Sequence, residues 1–429
     1  MTRHPIRLLG LVVTLIVLAF VLTVATAGIG SATPVVSTAG GALPVPTQYG
    51  ETTYSAISCT SRSFCMAVGT YTNKDYFSFG VAAQWNGSQW SPRPLPLSEN
   101  LQGAWGLSQV VCISPSWCMS LGGSNGVKPP FSELWNGSAW ERKNIDTHVA
   151  GLGVILNHLS CTSRSYCLAV GNAEGGFRDT VFTKPVATEW NGSQWSVLPP
   201  PKLSSGYSFS GVSCSGNNEC NAIADTATLH GIINGNAVVV QHSESGWTVL
   251  PAQPASKNAE YQYQGISCTG ASFCIVAGTS EARFQNGLND REYAFIATIS
   301  GSTWNMTVLR NISYMQIDTQ LTCPYSGSCI VIIPDVQYPV HPAQVLSIDT
   351  GSGKIITIRT VPQVDALSEP CASPSTCSFV ASSCSSCRER LEFIRLPAPW
   401  SWSYVVAVII VCVLLAGGYW LYSRKEHVT

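Results

Sequence analysis

The stretch ISCTSRSFCMAVG, at residues 57–69, decides the fold because the chain repeats it almost unchanged as LSCTSRSYCLAVG at residues 159–171. At its centre are two cysteines separated by five residues, and this pair recurs seven times. The first cysteines of successive pairs are 53, 49, 53, 54, 55 and 48 residues apart. A fixed period near 50 residues indicates a repeat protein in which each copy is one structural unit. The pairs are Cys59/Cys65, Cys112/Cys118, Cys161/Cys167, Cys214/Cys220, Cys268/Cys274, Cys323/Cys329 and Cys371/Cys377.

Each copy is predicted to form four short strands. In the first copy they cover roughly residues 54–59, 64–70, 79–85 and 89–95, which are rich in β-branched and aromatic residues. A second phrase supplies the turn between the third and fourth strands as QWNGSQW (84–90), LWNGSAW (134–140) and EWNGSQW (189–195). Asn-Gly is a strong hairpin signal, and a two-residue turn of this kind needs positive φ at both positions.

Four strands in each of seven copies, with no helical periodicity between the two ends of the chain, predict an all-β fold. We expect a seven-bladed β-propeller of four-stranded blades. A string of separate β-sandwich modules is the alternative, although about 50 residues is small for an independent domain. The seventh copy has room for only one more strand after Cys377, at residues 388–396. We therefore expect residues around 36–46 to supply the outer strand of the last blade and to close the ring.

Two apolar runs predict that the chain is attached to a membrane at both ends. Residues 8–30 follow a basic segment and form either a cleaved signal peptide or an uncleaved signal anchor. Residues 404–422 are long enough to span a bilayer, and Arg424 and Lys425 follow them. We predict a signal segment (1–30), an extracytoplasmic propeller (31–398), a transmembrane helix (399–423) and a cytoplasmic tail (424–429) in the cell membrane. The propeller copies start near residues 53, 106, 155, 208, 262, 317 and 365.

The paired cysteines of an exported domain are predicted to form disulfides. Zinc is the alternative, but zinc ligands are usually two to four residues apart and often include histidine, which is absent beside these pairs. Cys384 and Cys387 form a Cys-x-x-Cys motif that is either a structural disulfide or a redox dithiol. Its surroundings resemble a strand turn, which favours the structural role. We predict no metal, no cofactor and no catalytic residue.

Composition excludes one class of partner. Only 11% of the residues are charged and the formal net charge is -1, so the chain has no basic surface that would attract nucleic acid. A G-x-S-x-G match at residues 122–126 lies between two predicted strands, whereas a nucleophile elbow needs a strand followed by a helix.

The turn between the third and fourth strands resembles the Asp-box, S-x-D-x-G-x-T-W, of sialidase-like propellers. Gly301 to Trp304 match the last four positions, and the WNG phrases keep the glycine and the tryptophan. The aspartate position holds Trp85, Trp135, Trp190 and Ile299. The chain as a whole resembles bacterial cell-surface repeat proteins with Cys-x5-Cys and W-N-G-x-x-W units. These resemblances imply a propeller at the cell surface but no particular reaction.

Strand alternation separates the connections onto two rims. The cysteine rim carries the Cys-x5-Cys loops and the Asn-Gly turns, which are nearly identical in several copies. The variable rim carries the other connections, which differ in length and contain aromatic residues. Function usually lies where loops vary on a rigid scaffold. The candidate ligand-binding residues on this rim are Trp105, Tyr207, Tyr261, Tyr263 and Tyr314.

The sequence therefore predicts a non-catalytic module that binds a protein partner or an envelope glycan, or serves as a scaffold. A sialidase-like or other glycan hydrolase is the alternative. The two differ because a hydrolase needs paired carboxyl groups at the ring centre, with at least one shifted pKa.

Overall fold

The computed structural model describes residues 35–37 and most of residues 50–395. The gaps within the longer segment are 62, 97–105, 124–128, 148–151, 178–179, 204–205, 227–236, 251–258, 271–272, 283–290, 302, 315–319, 326–327, 334–342, 350–354, 362–375 and 384–387. The chain divides into two compact units, Met1–Val35 with Arg395–Thr429 and Val36–Ile394, and nearly all described residues belong to the second. The predicted signal segment, transmembrane helix and tail lie outside the described residues. No helix within the described ranges has the length and apolar character needed to cross a membrane.

The described strands form six four-stranded sheets and one three-stranded sheet. Sheet 1 contains β2 (Gly50–Ser61), β3 (Phe64–Asn73), β4 (Ser78–Trp85) and β5 (Trp90–Pro92), and sheet 2 contains β6 (Leu107–Ser114), β7 (Trp117–Gly122), β8 (Phe131–Trp135) and β9 (Trp140–Asn144). Sheet 3 contains β10 (Gly153–Ser163), β11 (Tyr166–Phe177), β12 (Thr180–Trp190) and β13 (Trp195–Val197), and sheet 4 contains β14 (Tyr207–Gly216), β15 (Glu219–Thr226), β16 (Val238–Ser243) and β17 (Gly246–Val249). Sheet 5 contains β18 (Ala259–Gly270), β19 (Phe273–Ala282), β20 (Arg291–Ser300) and β21 (Thr303–Tyr314), and sheet 6 contains β22 (Gln320–Tyr325), β23 (Ser328–Ile333), β24 (Ala343–Asp349) and β25 (Ile355–Val361). Sheet 7 contains β1 (Val35–Ser37), β26 (Thr376–Ser383) and β27 (Arg388–Arg395).

Each four-stranded sheet follows chain order, so the cysteine pair joins the first two strands where they meet. Cys59 lies directly opposite Cys65, and Cys161 lies opposite Cys167, with Cα atoms 3.9 and 4.0 Å apart. The predicted disulfides are confirmed in five copies, which are Cys59–Cys65, Cys112–Cys118, Cys161–Cys167, Cys214–Cys220 and Cys268–Cys274. Cys329 is also disulfide-bonded. Cys371, Cys384 and Cys387 lie outside the described residues, and only the backbone of Cys323 and Cys377 is described.

A β-bulge recurs in the first strand of sheets 1 to 5 and explains the glycine that ends the repeated phrase. In sheet 1 the bulge falls between Tyr54 and Ala56, and the other four sheets have it at the equivalent position. The first strand then lies very close to the second. A Cβ atom on Gly69 or Gly171 would lie 2.1 or 2.0 Å from a carbonyl oxygen of the first strand. Only glycine fits there without moving the backbone.

The core lies between consecutive sheets. Met66 and Val68 of sheet 1 pack against Leu107 and Val110 of sheet 2, and similar apolar clusters join each later pair up to sheets 5 and 6. The first strands of consecutive four-stranded sheets contact one another, and β2 also contacts β26 of sheet 7. An all-β chain of four-stranded sheets joined at their first strands is consistent with a β-propeller.

Hydrogen bonds between first strands reinforce this packing. The serine before the first cysteine of one sheet accepts a bond from the backbone N–H of the first cysteine in the next sheet. Ser58 Oγ lies 2.9 Å from Cys112 N, and Ser160 Oγ lies 3.0 Å from Cys214 N. The repeated phrase therefore specifies contacts between sheets as well as within them.

The N-terminal strand β1 forms the outer edge of sheet 7 beside β27. This arrangement agrees with the prediction that residues around 36–46 supply the outer strand of the last copy. Of that segment the structure describes residues 36 and 37, together with residue 35.

Candidate functional site

The first tryptophan of the WNG phrase joins the two kinds of turn on the cysteine rim. The indole Nε1 of Trp135 donates to the Pro115 carbonyl, and that of Trp190 donates to the Arg164 carbonyl, at 3.1 Å each. Both carbonyls lie between the two cysteines of a pair. The buried ring also contacts the second tryptophan of its phrase, with centroids 5.6 Å apart for Trp135 and Trp140. The two repeated motifs are therefore one structural unit.

The Asn-Gly turns differ from the predicted two-residue type. Positive φ occurs at Gly87, Gly137 and Gly192, but the preceding asparagines do not share it. Asn86 Oδ1 instead accepts bonds from the backbone N–H groups of Ser88 and Gln89, at 3.0 and 2.9 Å. The side chain caps a four-residue turn, so the asparagine needs no left-handed backbone.

Polar groups on the cysteine rim largely bond to one another. The Arg164 guanidinium donates to the hydroxyls of Ser114 and Ser116 in the preceding sheet, at 2.9 Å each. Asn217 Oδ1 accepts from the Thr162 hydroxyl at 2.7 Å. These bonds connect successive Cys-x5-Cys loops, so the polar groups of this rim mainly stabilise the packing of neighbouring sheets.

The hairpins of the variable rim differ in length. Measured from the second cysteine outward, the described ladder between the second and third strands has eight residue pairs in sheet 1, eleven in sheet 3 and nine in sheet 5. In sheets 2, 4 and 6, five pairs of this ladder lie within the described residues. The three additional pairs of sheet 3 extend its hairpin about 10 Å beyond that of sheet 1, at about 3.4 Å per residue.

The hairpin between the second and third strands of sheet 1 ends in an aromatic tip, which we define as Tyr71, Tyr76, Phe77 and Phe79. The exposed fractions of Tyr76, Phe77 and Phe79 are 89%, 42% and 40%. The rings of Tyr71 and Phe79 stack across the ladder with centroids 6.5 Å apart. None of these residues is among the candidate ligand-binding residues predicted from the sequence. The period-two spacing of Phe77 and Phe79 was the available signal.

The rim aromatics predicted from the sequence occupy different environments. Tyr207 and Tyr263 are buried, at 8% and 5% exposure, because their rings point into the packing between sheets. Tyr261 is half-buried and meets Phe295 edge-on. Trp105 lies outside the described residues, and of Tyr314 only the backbone in β21 is described. Tyr261 thus keeps the most accessible ring of the three whose side chains are described.

Comparison with known proteins finds distant similarities of fold among solved structures. No protein-family model matches the chain, and no curated protein sequence is significantly similar to it. Among solved structures, a polysaccharide lyase, an ulvan lyase, is 10% identical with a TM-score of 0.47, covering 83% of this chain and 95% of its own. The Dos1 propeller is 8% identical with a TM-score of 0.46, covering 84% and 96%. A Hadza microbial sialidase is 12% identical with a TM-score of 0.41, and the match covers 66% of this chain and 62% of the sialidase. Likenesses this distant carry no information about activity.

Asp225 is a buried acid near the variable end of sheet 4. It accepts a hydrogen bond from the hydroxyl of Ser210, the bulge residue of β14, and its Oδ1 is buried without a hydrogen-bond partner. Burial raises the pKa of Asp225 to about 7, although bonds from Ser210 and from the Tyr263 backbone act in the opposite direction. Burial is the larger cause of the raised pKa of Tyr207 and of Tyr263, and the negative charge of Asp225 raises both pKa values further.

Glu133 in β8 is a second buried acid, and its side chain is fully inaccessible. One oxygen, Oε1, accepts bonds from Nε and Nη2 of Arg142, at 2.8 Å each, while Oε2 is buried without a partner. The guanidinium also lies 3.8 Å from the centre of the Phe131 ring. Burial raises the pKa of Glu133 and outweighs the opposing effect of Arg142. Sheet 1 has a neutral pair one residue away from the equivalent positions, in which Arg93 Nε donates to Gln84 Oε1 at 2.7 Å.

Burial alone shifts two further groups. It raises the pKa of Glu189 and lowers that of His158 to about 4. No second carboxyl group contributes to the shifts at Glu133, Glu189 or Asp225. Within the described ranges, no three His, Cys, Asp or Glu residues are grouped as metal ligands. The shifted acids Glu133, Glu189 and Asp225 are therefore not coupled to one another.

Proposed function

We propose that the chain is a membrane-anchored, extracytoplasmic seven-bladed β-propeller that acts as a non-catalytic binding module. Its ligand is a protein partner or an envelope glycan held by the variable rim. The anchors are the apolar runs of residues 8–30 and 404–422, and sheet 7 is the seventh blade. The last strand would leave the propeller on the cysteine rim, so the variable rim would face away from the membrane.

The contrast between the two rims is the observation that carries this proposal. The described copies keep the same loops, turns and disulfides on the cysteine rim, whereas the described hairpin ladder on the variable rim has eight pairs in sheet 1, eleven in sheet 3 and nine in sheet 5. A regular scaffold with irregular projections on one side is the usual arrangement of a binding surface.

The titratable groups support binding over hydrolysis. A glycan hydrolase of the usual kind needs two carboxyl groups on either side of the scissile bond, at a separation of about 5 to 9.5 Å. Glu133 is engaged with Arg142, and burial alone accounts for the raised pKa of Glu189. Asp225 is bonded by Ser210 and is shifted by burial.

The test uses the full chain, purified oxidised in detergent and applied to an array of envelope glycans and purified envelope proteins. Retention of a glycan or a protein without chemical change is the expected result. Release of shortened glycan products would identify a hydrolase instead. Failure to retain any probe, by protein whose disulfides and tryptophan fluorescence are intact, would contradict the proposal.

A further inference from the structure

The aromatic tip concentrates exposed apolar surface at one point of the variable rim. Five large hydrophobic side chains are exposed in the described part of the chain, and three of them, Tyr76, Phe77 and Phe79, belong to the tip. The other two, Val197 and Val249, occur singly on fourth strands of different sheets. Clustered exposed aromatic residues mark interaction sites far more often than scattered ones.

Strand alternation determines which way the stacked pair of the tip faces. Met66, Val68 and Ala82 point toward sheet 2, where they pack with Leu107 and Val110. Ala67, Val81 and Ala83 point to the opposite face. Tyr71 and Phe79 share the parity of the second group, so their rings lie on the face of sheet 1 that is turned away from sheet 2. Packing against sheet 2 is therefore not their role.

Hydrogen bonds to the side chain and backbone of Asn73 hold the turn that presents Tyr76 in one conformation. Asn73 Oδ1 accepts from the N–H groups of Asp75 and Phe77, at 3.0 and 2.9 Å, and the Asn73 N–H donates to the Phe77 carbonyl at 2.9 Å. Tyr76 has a φ of 63°, in the left-handed region that is costly for a bulky residue. Glycine or asparagine would be easier there, so the ring occupies the position at a conformational cost. Residues in such conformations cluster at ligand-binding and other functional sites, which makes Tyr76 a candidate contact residue.

The size and charge of the tip define its ligand. Residues 71–79 are nine residues of one hairpin, whereas a stable protein interface uses about 20 to 30 residues on each side. Lys74 and Asp75 carry opposite charges, so the tip has no net charge that would select a charged ligand. Aromatic rings with a polar edge offer apolar faces for stacking and hydroxyl groups for hydrogen bonds. An uncharged sugar chain needs these features and no larger surface.

We propose that the aromatic tip binds an uncharged segment of an envelope glycan. Sugar rings would stack on Tyr76 and on the Tyr71–Phe79 pair, while the Tyr76 hydroxyl, Lys74 and Asp75 bond to sugar hydroxyls. This inference rests on the proposed binding role of the variable rim and names one site and one class of ligand for it.

The test compares four variants of the full chain on immobilised neutral oligosaccharides (gluco-, manno-, galacto- and arabino-) and on uronate-containing ones. Tyr76→Asn removes the ring without adding strain, because asparagine tolerates positive φ. Tyr76→Phe keeps the ring, Phe79→Ala removes the stacked partner, and Val197→Ala is the control at an exposed site in sheet 3. We expect neutral glycans to bind about tenfold more weakly to Tyr76→Asn and to Phe79→Ala. Tyr76→Phe should bind within about threefold of the unmodified chain, and Val197→Ala should bind equally well.

Two results would overturn this inference and would be distinguishable from failure of the proposed function. Neutral glycans that bind the Tyr76→Asn and Phe79→Ala variants as well as the unmodified chain would place the glycan site elsewhere and leave the binding module intact. If the chain retains an envelope protein but no neutral glycan, the ligand is a protein and the glycan assignment is wrong. Retention of no probe by the folded chain would contradict the proposed function itself.

Discussion

Replacing Arg142 with methionine should destabilise the protein much more than the same change at Arg93. Both arginines closely follow the second tryptophan of a WNG phrase, but Arg142 bonds the carboxylate of Glu133 and Arg93 bonds the amide of Gln84. Arg142→Met leaves a fully buried carboxylate without a counter-charge, a change that costs about 3–5 kcal/mol of unfolding free energy. Arg93→Met removes one bond to a neutral group, which costs about 1 kcal/mol.

Changing Glu133 itself tests the same reasoning from the other side. Glu133→Gln should lie within about 1 kcal/mol of the unmodified chain at neutral pH, because the amide oxygen can still accept from Arg142 and no carboxylate remains buried. Burial raises the pKa of Glu133 above 4.5, so ionising it costs stability as the pH rises above that value. Glu133→Gln should therefore become more stable relative to the unmodified chain as the pH rises above 4.5. Glu133→Gln with Arg142→Met should recover about 2 kcal/mol of the Arg142→Met loss.

Guanidinium denaturation of the oxidised full chain, followed by tryptophan fluorescence, provides the measurement. The chain contains 13 tryptophans, and several pack next to these arginines, including Trp135 within 5.7 Å of Arg93. The shift of the midpoint multiplied by the denaturant slope gives each change in free energy. Equal losses for Arg142→Met and Arg93→Met would refute the reasoning, because they would show that the carboxylate is not confined to a low-dielectric site.

Three further outcomes follow from the structure. Trp190→Phe should lower the unfolding free energy by about 1–2 kcal/mol, because the Arg164 carbonyl loses its indole donor; an unchanged midpoint in the same denaturation assay would contradict this role. The Cys161→Ser/Cys167→Ser double variant should lose about 2 kcal/mol of unfolding free energy, the loop-closure value for a seven-residue ring, and an unchanged midpoint would contradict this estimate. Asp225→Asn should flatten the pH dependence of the melting temperature. The pKa of Asp225 is raised to about 7, so the unmodified chain loses about 1–3 kcal/mol of unfolding free energy as the pH rises from 4 through 7. If the melting temperatures of Asp225→Asn and of the unmodified chain fall in parallel over this range, Asp225 is not the source of the decline.

The repeated phrases predicted the strands and the disulfides because they determine local geometry. Cysteines five residues apart close a tight turn, and the strands of the first copy begin and end near the predicted residues. The predicted ends were least accurate at the variable rim, where β2 starts at Gly50 and β3 continues to Asn73. The greater length of the sheet 3 hairpin depends on how far it extends beyond the shared core, and the repeated phrases carry no signal for it.

Side-chain environments were harder to predict than strands. An aromatic residue at the start of a first strand can point outward or into the space between sheets, and the bulge after Tyr54 or Tyr263 shifts the pattern by one residue. Tyr207 and Tyr263 therefore became core residues. When the copies are aligned on the WNG phrase, Glu133 and Arg142 correspond to Ala83 and Pro92, so a comparison of these copies gave no signal for the buried pair.

If the chain is exported as proposed, the short reach of each described disulfide bears on how it is made. Every one of the five joins cysteines six positions apart in the chain, so both partners would emerge from a translocation channel almost together. Oxidation in order of emergence then yields the native pairing before the next pair appears. Such a chain needs an oxidase but little isomerase activity, and a stalled export intermediate would already carry correctly closed loops at its leading end.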